Sequence, residues 1–251
     1  AAQMKVIYIL WLRQLKRYFR SKARIIGSLG QPLLFFLALG FGFGPIYTKA
    51  GGGDYIQFLA PGIITMSVLF TATFSGIEVL WDRRFGFLKE TLVAPVSRLR
   101  IMLGRTFGSA TVAVLQGLIV FGLSVIIGFR PTTMALMPLA LFYMILIAIT
   151  FTALGTAIAS LIEDMQGFQI IINFLIMPLF FLSGALFPLE NLPKAVVVIS
   201  TLNPLAYGVD GLRGTLIGTV HFGLLTDFLV LSAMAMLVLM TGAYLFSRIE
   251  V

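Results

Sequence analysis

Long apolar runs, separated by short stretches rich in charge, Gly and Pro, organise this chain. Six runs can be drawn, at 25–44, 55–80, 106–129, 134–162, 165–187 and 224–247. Each is long enough to cross a hydrocarbon core of about 30 Å as a helix. No period-2 alternation of the barrel type accompanies them. The pattern therefore predicts an all-α polytopic membrane protein, a single transmembrane domain of six spans. The stretch 188–223 is less apolar and is broken by Pro and Gly, so it does not read as a seventh span. Ahead of the first run, residues 4–24 place Tyr8, Trp11, Leu12, Leu15, Tyr18 and Phe19 on one helical face. Arg13, Lys16, Arg17, Arg20 and Arg24 fall on another. This predicts an amphipathic helix in the membrane interface, either a lever or an anchor. Ala1–Gln3 are set aside, and the basic opening is read as retained rather than as a cleaved signal.

Composition agrees with the pattern. The chain is 59% hydrophobic and 11% charged, with a mean hydropathy of +1.02, against roughly 25% charged residues in soluble domains. The net charge of +8 reads as an orientation signal rather than a nucleic-acid footprint. With six spans, both termini share one side. That side holds fourteen of the eighteen Lys and Arg, namely seven from Lys5 to Arg24, six from Arg83 to Arg105, and Arg248. Only Lys49, Arg130, Lys194 and Arg213 fall on the other. The positive-inside rule then places the termini and 82–100 in the cytoplasm, and 188–223 outside.

Several chemistries find little support. The chain has no Cys and one His, which removes thiolate chemistry and argues against a histidine-built metal or haem site. No G-x-x-x-x-G-K-[ST] occurs, so ATP phosphates have no cradle of that kind here. Ser183 could serve as a nucleophile only with His221, expected near the far end of the external stretch. A small residue for close helix contact is the stronger reading. "GFGFG" at 40–44 lacks the preceding hydroxyl and β-branched pair of a filter loop and reads as close packing.

The charged stretch between the second and third runs has a pattern of its own. Phe85, Leu88 and Leu92 fall at i, i+3 and i+7, with Arg83, Arg84, Lys89 and Glu90 around them, and Pro95 is expected to end the helix. An apolar ridge with a charged rim suits a protein groove, and an ordinary positive-inside loop is the plainer alternative. Glu78 is either a functional intramembrane acid or a carboxylate snorkelling to Arg83 or Arg84. Asp210 and Arg213 are three apart and could pair on a helix, as a local salt bridge or as part of a gate. Pro188, Pro193 and Pro204 break the external stretch into short pieces.

Two passages, "SGALFPLENLPKAVVVISTLNPLAYGVDGLRGTL" and "FGFLKETLVAPVSR", in this order and spacing, resemble the membrane subunits of type-2 ABC transporters. The likeness is greatest to the drug-exporter branch typified by the daunorubicin permease, and it covers essentially the whole chain. It implies a permease that pairs with a second copy and binds a separate ATP-hydrolysing subunit. It also implies a prokaryotic inner membrane, no cofactor on this chain, and outward movement of a small amphipathic, lipid-like or glycan-linked substrate. The coupling helix, implied to dock on the ATPase, maps onto Arg83, Arg84, Phe85, Phe87, Leu88, Lys89, Glu90 and Leu92. Glu78, Pro188, Asn203, Pro204, Asp210 and Arg213 are the structural or gating candidates, in or near an external segment implied to dip back into the membrane. A secondary transporter or channel not coupled to ATP is the alternative.

Overall fold

A computed structural model describes residues 2–93 and 96–249. Pro95, expected to end the coupling helix, lies outside the described residues. The fold is all-helical among them. Helix α1 (Ala2–Arg20) is followed at Ser21 by a break, where the Ser21 hydroxyl accepts from the Arg24 amide and starts α2 (Lys22–Lys49). Asp54 caps α3 (Tyr55–Phe74), its carboxylate accepting from the Ile56 amide at 2.9 Å. The path continues through a break at Ser75–Gly76 into α4 (Ile77–Arg84). Gly86, at φ +77°, turns the chain into the short α5 (Phe87–Val93). Helix α6 (Arg98–Ile127) begins eight residues before the expected third span, so Arg98, Arg100 and Arg105 lie on the helix rather than in a loop. Then come α7 (Met137–Leu161), α8 (Met165–Phe181), α9 (Lys194–Thr201), α10 (Pro204–Ile217) and α11 (Leu224–Ser247).

Five helical paths are long and apolar enough to cross a membrane, or six if the bent α9–α10 pair counts as one. The expected fifth span ends early. Helix α8 stops at Phe181, and Gly184 at φ +77° turns the chain where 182–187 was expected to be helical. Its 17 residues lie at the short end of the spanning range of roughly 17–25.

Helix α3 is the centre. Of its most apolar window 72% is buried, against 17% for α2 and for α11, whose faces remain open. Small residues bring the backbones together around it. A Cβ on Gly76 would lie 2.3 Å from the Gly155 carbonyl oxygen, and one on Gly155 would lie 2.2 Å from that of Thr73. The α3–α4 path and α7 therefore cross with main chains in contact, which any side chain at either glycine would prevent. Helix α1 lies along α6 over Gly104 and Gly108, a small-xxx-small spacing that seats Leu10, Trp11 and Gln14. The Trp11 indole donates to the Thr111 hydroxyl at 3.0 Å, and the buried Tyr18 phenol donates to Gln116. Burial pushes that phenol above its ordinary 10.0, which keeps it a neutral donor. The expected aromatic face is thus divided. Tyr18 packs against protein, while Tyr8 and Phe19 are exposed.

Candidate functional site

At one end of the bundle, α1, α2, α4 and α6 share an ion network. The Asp82 carboxylate, buried, accepts from Arg105 at 2.7 Å and from Arg13 at 3.2 and 3.3 Å, with Arg17 at 4.0 Å. One turn back, the buried Glu78 takes Arg24 at 2.9 Å and Arg17 at 3.7 Å. The reading of Glu78 as a partner of Arg83 or Arg84 is thereby corrected. The folding of α1 and α2 against α4 brings in cations from far away in sequence, while Arg83 instead donates to Glu163 at 2.8 Å. Arg13 also stacks over the Phe87 ring at 3.7 Å, joining α1 to α5. Arg98 donates to the carbonyls of Ser247 and Ile249 at 2.6 and 2.9 Å, tying the start of α6 to the end of α11.

The predicted ridge does not form. Leu88 is fully buried, whereas Phe85 is 69% exposed. The reason is the turn at Gly86. Phe85 caps α4 and Leu88 belongs to α5, so they are not on one helix and share no face. The side chain of Leu92 lies outside the described residues. What this corner presents instead is Phe85 stacked on Trp81 at 5.2 Å, with Val93 exposed and Arg84, Lys89 and Glu90 exposed around them. Trp81 and Val93 were missed because the ridge was drawn as one continuous helix. Asp82, Arg105 and Arg13 carried no local signal, since their contacts span 23 and 69 residues.

At the other end, Asn203 sets the corner between α9 and α10, which meet at 91°. Its side-chain oxygen accepts from the Leu205 amide at 3.0 Å, and its amide donates to the Leu179 carbonyl at 2.6 Å. Pro204 occupies the first turn of α10, where its missing N–H costs nothing. Pro188 precedes a 3-10 turn at Leu189–Asn191. Asp210 and Arg213 do not pair. The Asp210 carboxylate accepts from the backbone N–H groups of His221 and Phe222 at 2.7–2.9 Å, closing the turn from α10 to α11. Arg213 donates to the carbonyls of Phe58 and Ala185 at 3.2 and 3.3 Å and lies over the Phe58 ring at 3.9 Å. Each side chain takes backbone groups rather than the other, although the Arg213 Nε is left without a hydrogen-bond partner among the described residues.

Ser183 and His221 were expected apart, yet they line the same cavity of about 210 Å³. The Ser183 hydroxyl donates to the Phe180 carbonyl at 2.6 Å and accepts from the Ala185 amide at 3.3 Å. Its proton is directed at that carbonyl rather than at an imidazole base, so it makes a turn rather than a nucleophile.

Comparison with known proteins agrees with this architecture. The family model for "ABC-2 type transporter" matches residues 5–217. The chain is 30% identical over 235 residues to nodulation protein J of Rhizobium leguminosarum bv. viciae, covering 89% of this chain and 86% of that one. It is 29% identical over 214 residues to the putative transport permease ycf38 of Cyanophora paradoxa, covering 82% and 72%. Helices α1 to α10, with the ion network, the α4–α5 corner and the bent pair, all fall within or overlap the matched region; the chain is a multi-pass membrane protein of the ABC-2 type transporter family, a transport permease of an ABC system.

Proposed function

We propose that this chain is the membrane subunit of an exporter, works as a pair of identical copies, and moves an amphipathic or lipid-like molecule outward. A separate ABC subunit binds and hydrolyses the ATP. The end that carries α1, α4 and α5 faces the cytoplasm of a prokaryotic inner membrane, in keeping with the fourteen basic residues on that side. The ATPase docks on Trp81, Phe85 and Val93, with Arg84, Lys89 and Glu90 fixing its register. Phe87 and Leu88 serve from beneath by holding α5 to the bundle. The observation that carries this reading is the exposed aromatic pair on a corner whose neighbour, Asp82, is bonded to α1 and α6. Motion imposed at Phe85 passes directly to three helices. Pro188, Asn203 and Pro204 shape the outer segment, while Asp210 and Arg213 hold it to α11 and α3.

Phe85→Asp is the test, because Phe85 is exposed and the fold does not need it. A charge at the centre of the contact should cost about 2 kcal/mol or more, roughly a thirtyfold loss of affinity. Phe85→Asp should insert and dimerise like the parent, but lose the co-purifying ATPase and transport. Retention of both at parental levels would overturn the docking assignment.

A further inference from the structure

A cavity of about 300 Å³ opens beside the ion network, between α1, α2, α3, α4 and α6. This is the size of a small-molecule pocket, which runs from about 300 Å³ upward. Its floor is apolar, formed by Met66, Phe70, Phe74 and Val112. Its wall carries amides and hydroxyls, among them Gln14, Gln31, Ser28, Ser67 and Ser109. Among the described residues the charges lining it are Arg24 and Glu78, already paired with each other at 2.9 Å.

Two buried polar atoms of the lining lack hydrogen-bond partners among the described residues. The first is the Ser67 hydroxyl. Elsewhere on α3, Thr65 and Thr73 donate back to the carbonyls four residues earlier, as hydroxyls in apolar helices do. Ser67 does not. The second is Glu78 Oε2, which stands 3.7 Å from Arg17 Nη1, a group outside the cavity lining and beyond hydrogen-bond reach. A hydroxyl or amide in the cavity could donate to that carboxylate and accept from the Ser67 hydroxyl. An anionic head would meet Glu78, and a cationic one would meet Arg24. Leaving buried polar atoms unpaired is unfavourable, so the arrangement favours an uncharged occupant that supplies both donors and acceptors.

We propose that this cavity binds the uncharged, hydroxyl- or amide-bearing headgroup of an amphiphile, with its apolar chain over Phe70 and Phe74. The assignment deepens the transport reading and rests on it for the cavity's place in a bilayer. Its test reads binding alone, so it can fail while that reading stands.

The native chain has no Cys, so a single Thr71→Cys, on the half-buried cavity wall, is a clean reporter. Its rate of modification by N-ethylmaleimide is measured in nanodiscs of phosphatidylglycerol. Dodecyl maltoside, dodecyl phosphate and dodecyltrimethylammonium are added below their micellar concentrations. Ser28→Cys, across the cavity on α2, is a second reporter should Thr71→Cys misfold, and Thr241→Cys on the exposed face of α11 is the control. The maltoside should protect the cavity reporters at concentrations at least tenfold below either charged head, and leave the control untouched. Adding Ser67→Ala should weaken that protection severalfold. A membrane-derived occupant would show as protection when a glycosyl diacylglycerol is included in the disc. A soluble cargo would show as protection by the single-chain maltoside only. Equal protection by all three heads, equal protection of the control, or none at all would overturn the proposal.

Discussion

Asp82→Ala should be among the most damaging single changes at the end of the bundle that carries α1, α4 and α5. Arg105 has a side chain only 4% exposed and is held by Asp82 at 2.7 Å, while its Nε and Nη2 have no hydrogen-bond partner among the described residues. Removing Asp82 leaves that guanidinium buried without a counter-charge, which typically costs about 3–5 kcal/mol. For a chain of this length each kcal/mol lowers Tm by roughly 2–4 °C, so the expected fall is about 6–20 °C. Arg13 also loses its carboxylate, but its side chain is 27% exposed and can turn to water, so it adds little. The double replacement Asp82→Leu with Arg105→Met removes both buried charges at similar volume and should recover most of the loss. The assay is thermal unfolding of purified protein in nanodiscs, read by loss of the folded peak on size exclusion. If Asp82→Ala unfolds within two or three degrees of the parent, or the double variant is no better than the single, the pair does not hold this corner.

Three further outcomes are expected. Lys89→Cys should resist impermeant thiol reagents in intact cells, and Leu202→Cys, 80% exposed on the outer segment, should label at once; the reverse would invert the orientation. Gly155→Ala should cost about 3 kcal/mol or more in the same unfolding assay, because its Cβ would sit 2.2 Å from a helix carbonyl that cannot retreat, whereas Gly122→Ala, with open space around it, should be neutral or slightly stabilising. Asn203→Ala should lose about 1–2 kcal/mol, having removed both the α10 cap and the bond to Leu179, and Asn203→Ser, which keeps the cap alone, should fall between it and the parent.

The sequence reached different depths at different places, and the reason is the range of the forces involved. Apolar length is a local property, and where the runs at 55–80 and 224–247 were drawn the structure has a helical path over Tyr55–Arg84, broken at Ser75–Gly76, and a helix at Leu224–Ser247. Capping is local too. Pro204 was expected to break the stretch, and Asn203 before it caps α10 through the Leu205 amide, because an Asx side chain reaches only two residues ahead. Pairing is not local. Asp210 and Arg213 had the spacing of an ion pair, yet each found backbone groups, from the α10–α11 turn and from α3, that only the assembled bundle supplies. Glu78 went to Arg24, 54 residues away, rather than to Arg83, five away. The failure at Leu88 is the most instructive. Periodicity assumes one unbroken helix, and a single glycine at positive φ was enough to put Phe85 and Leu88 on different helices and opposite sides of the wall. "RFGF" carried that signal, since an interior glycine in a short charged stretch is a break before it is a helix residue. Moving the proposed docking surface from Leu88 to Phe85 changes which substitution can test it. Leu88→Asp would destroy the fold together with any contact, whereas Phe85→Asp would remove the proposed contact alone.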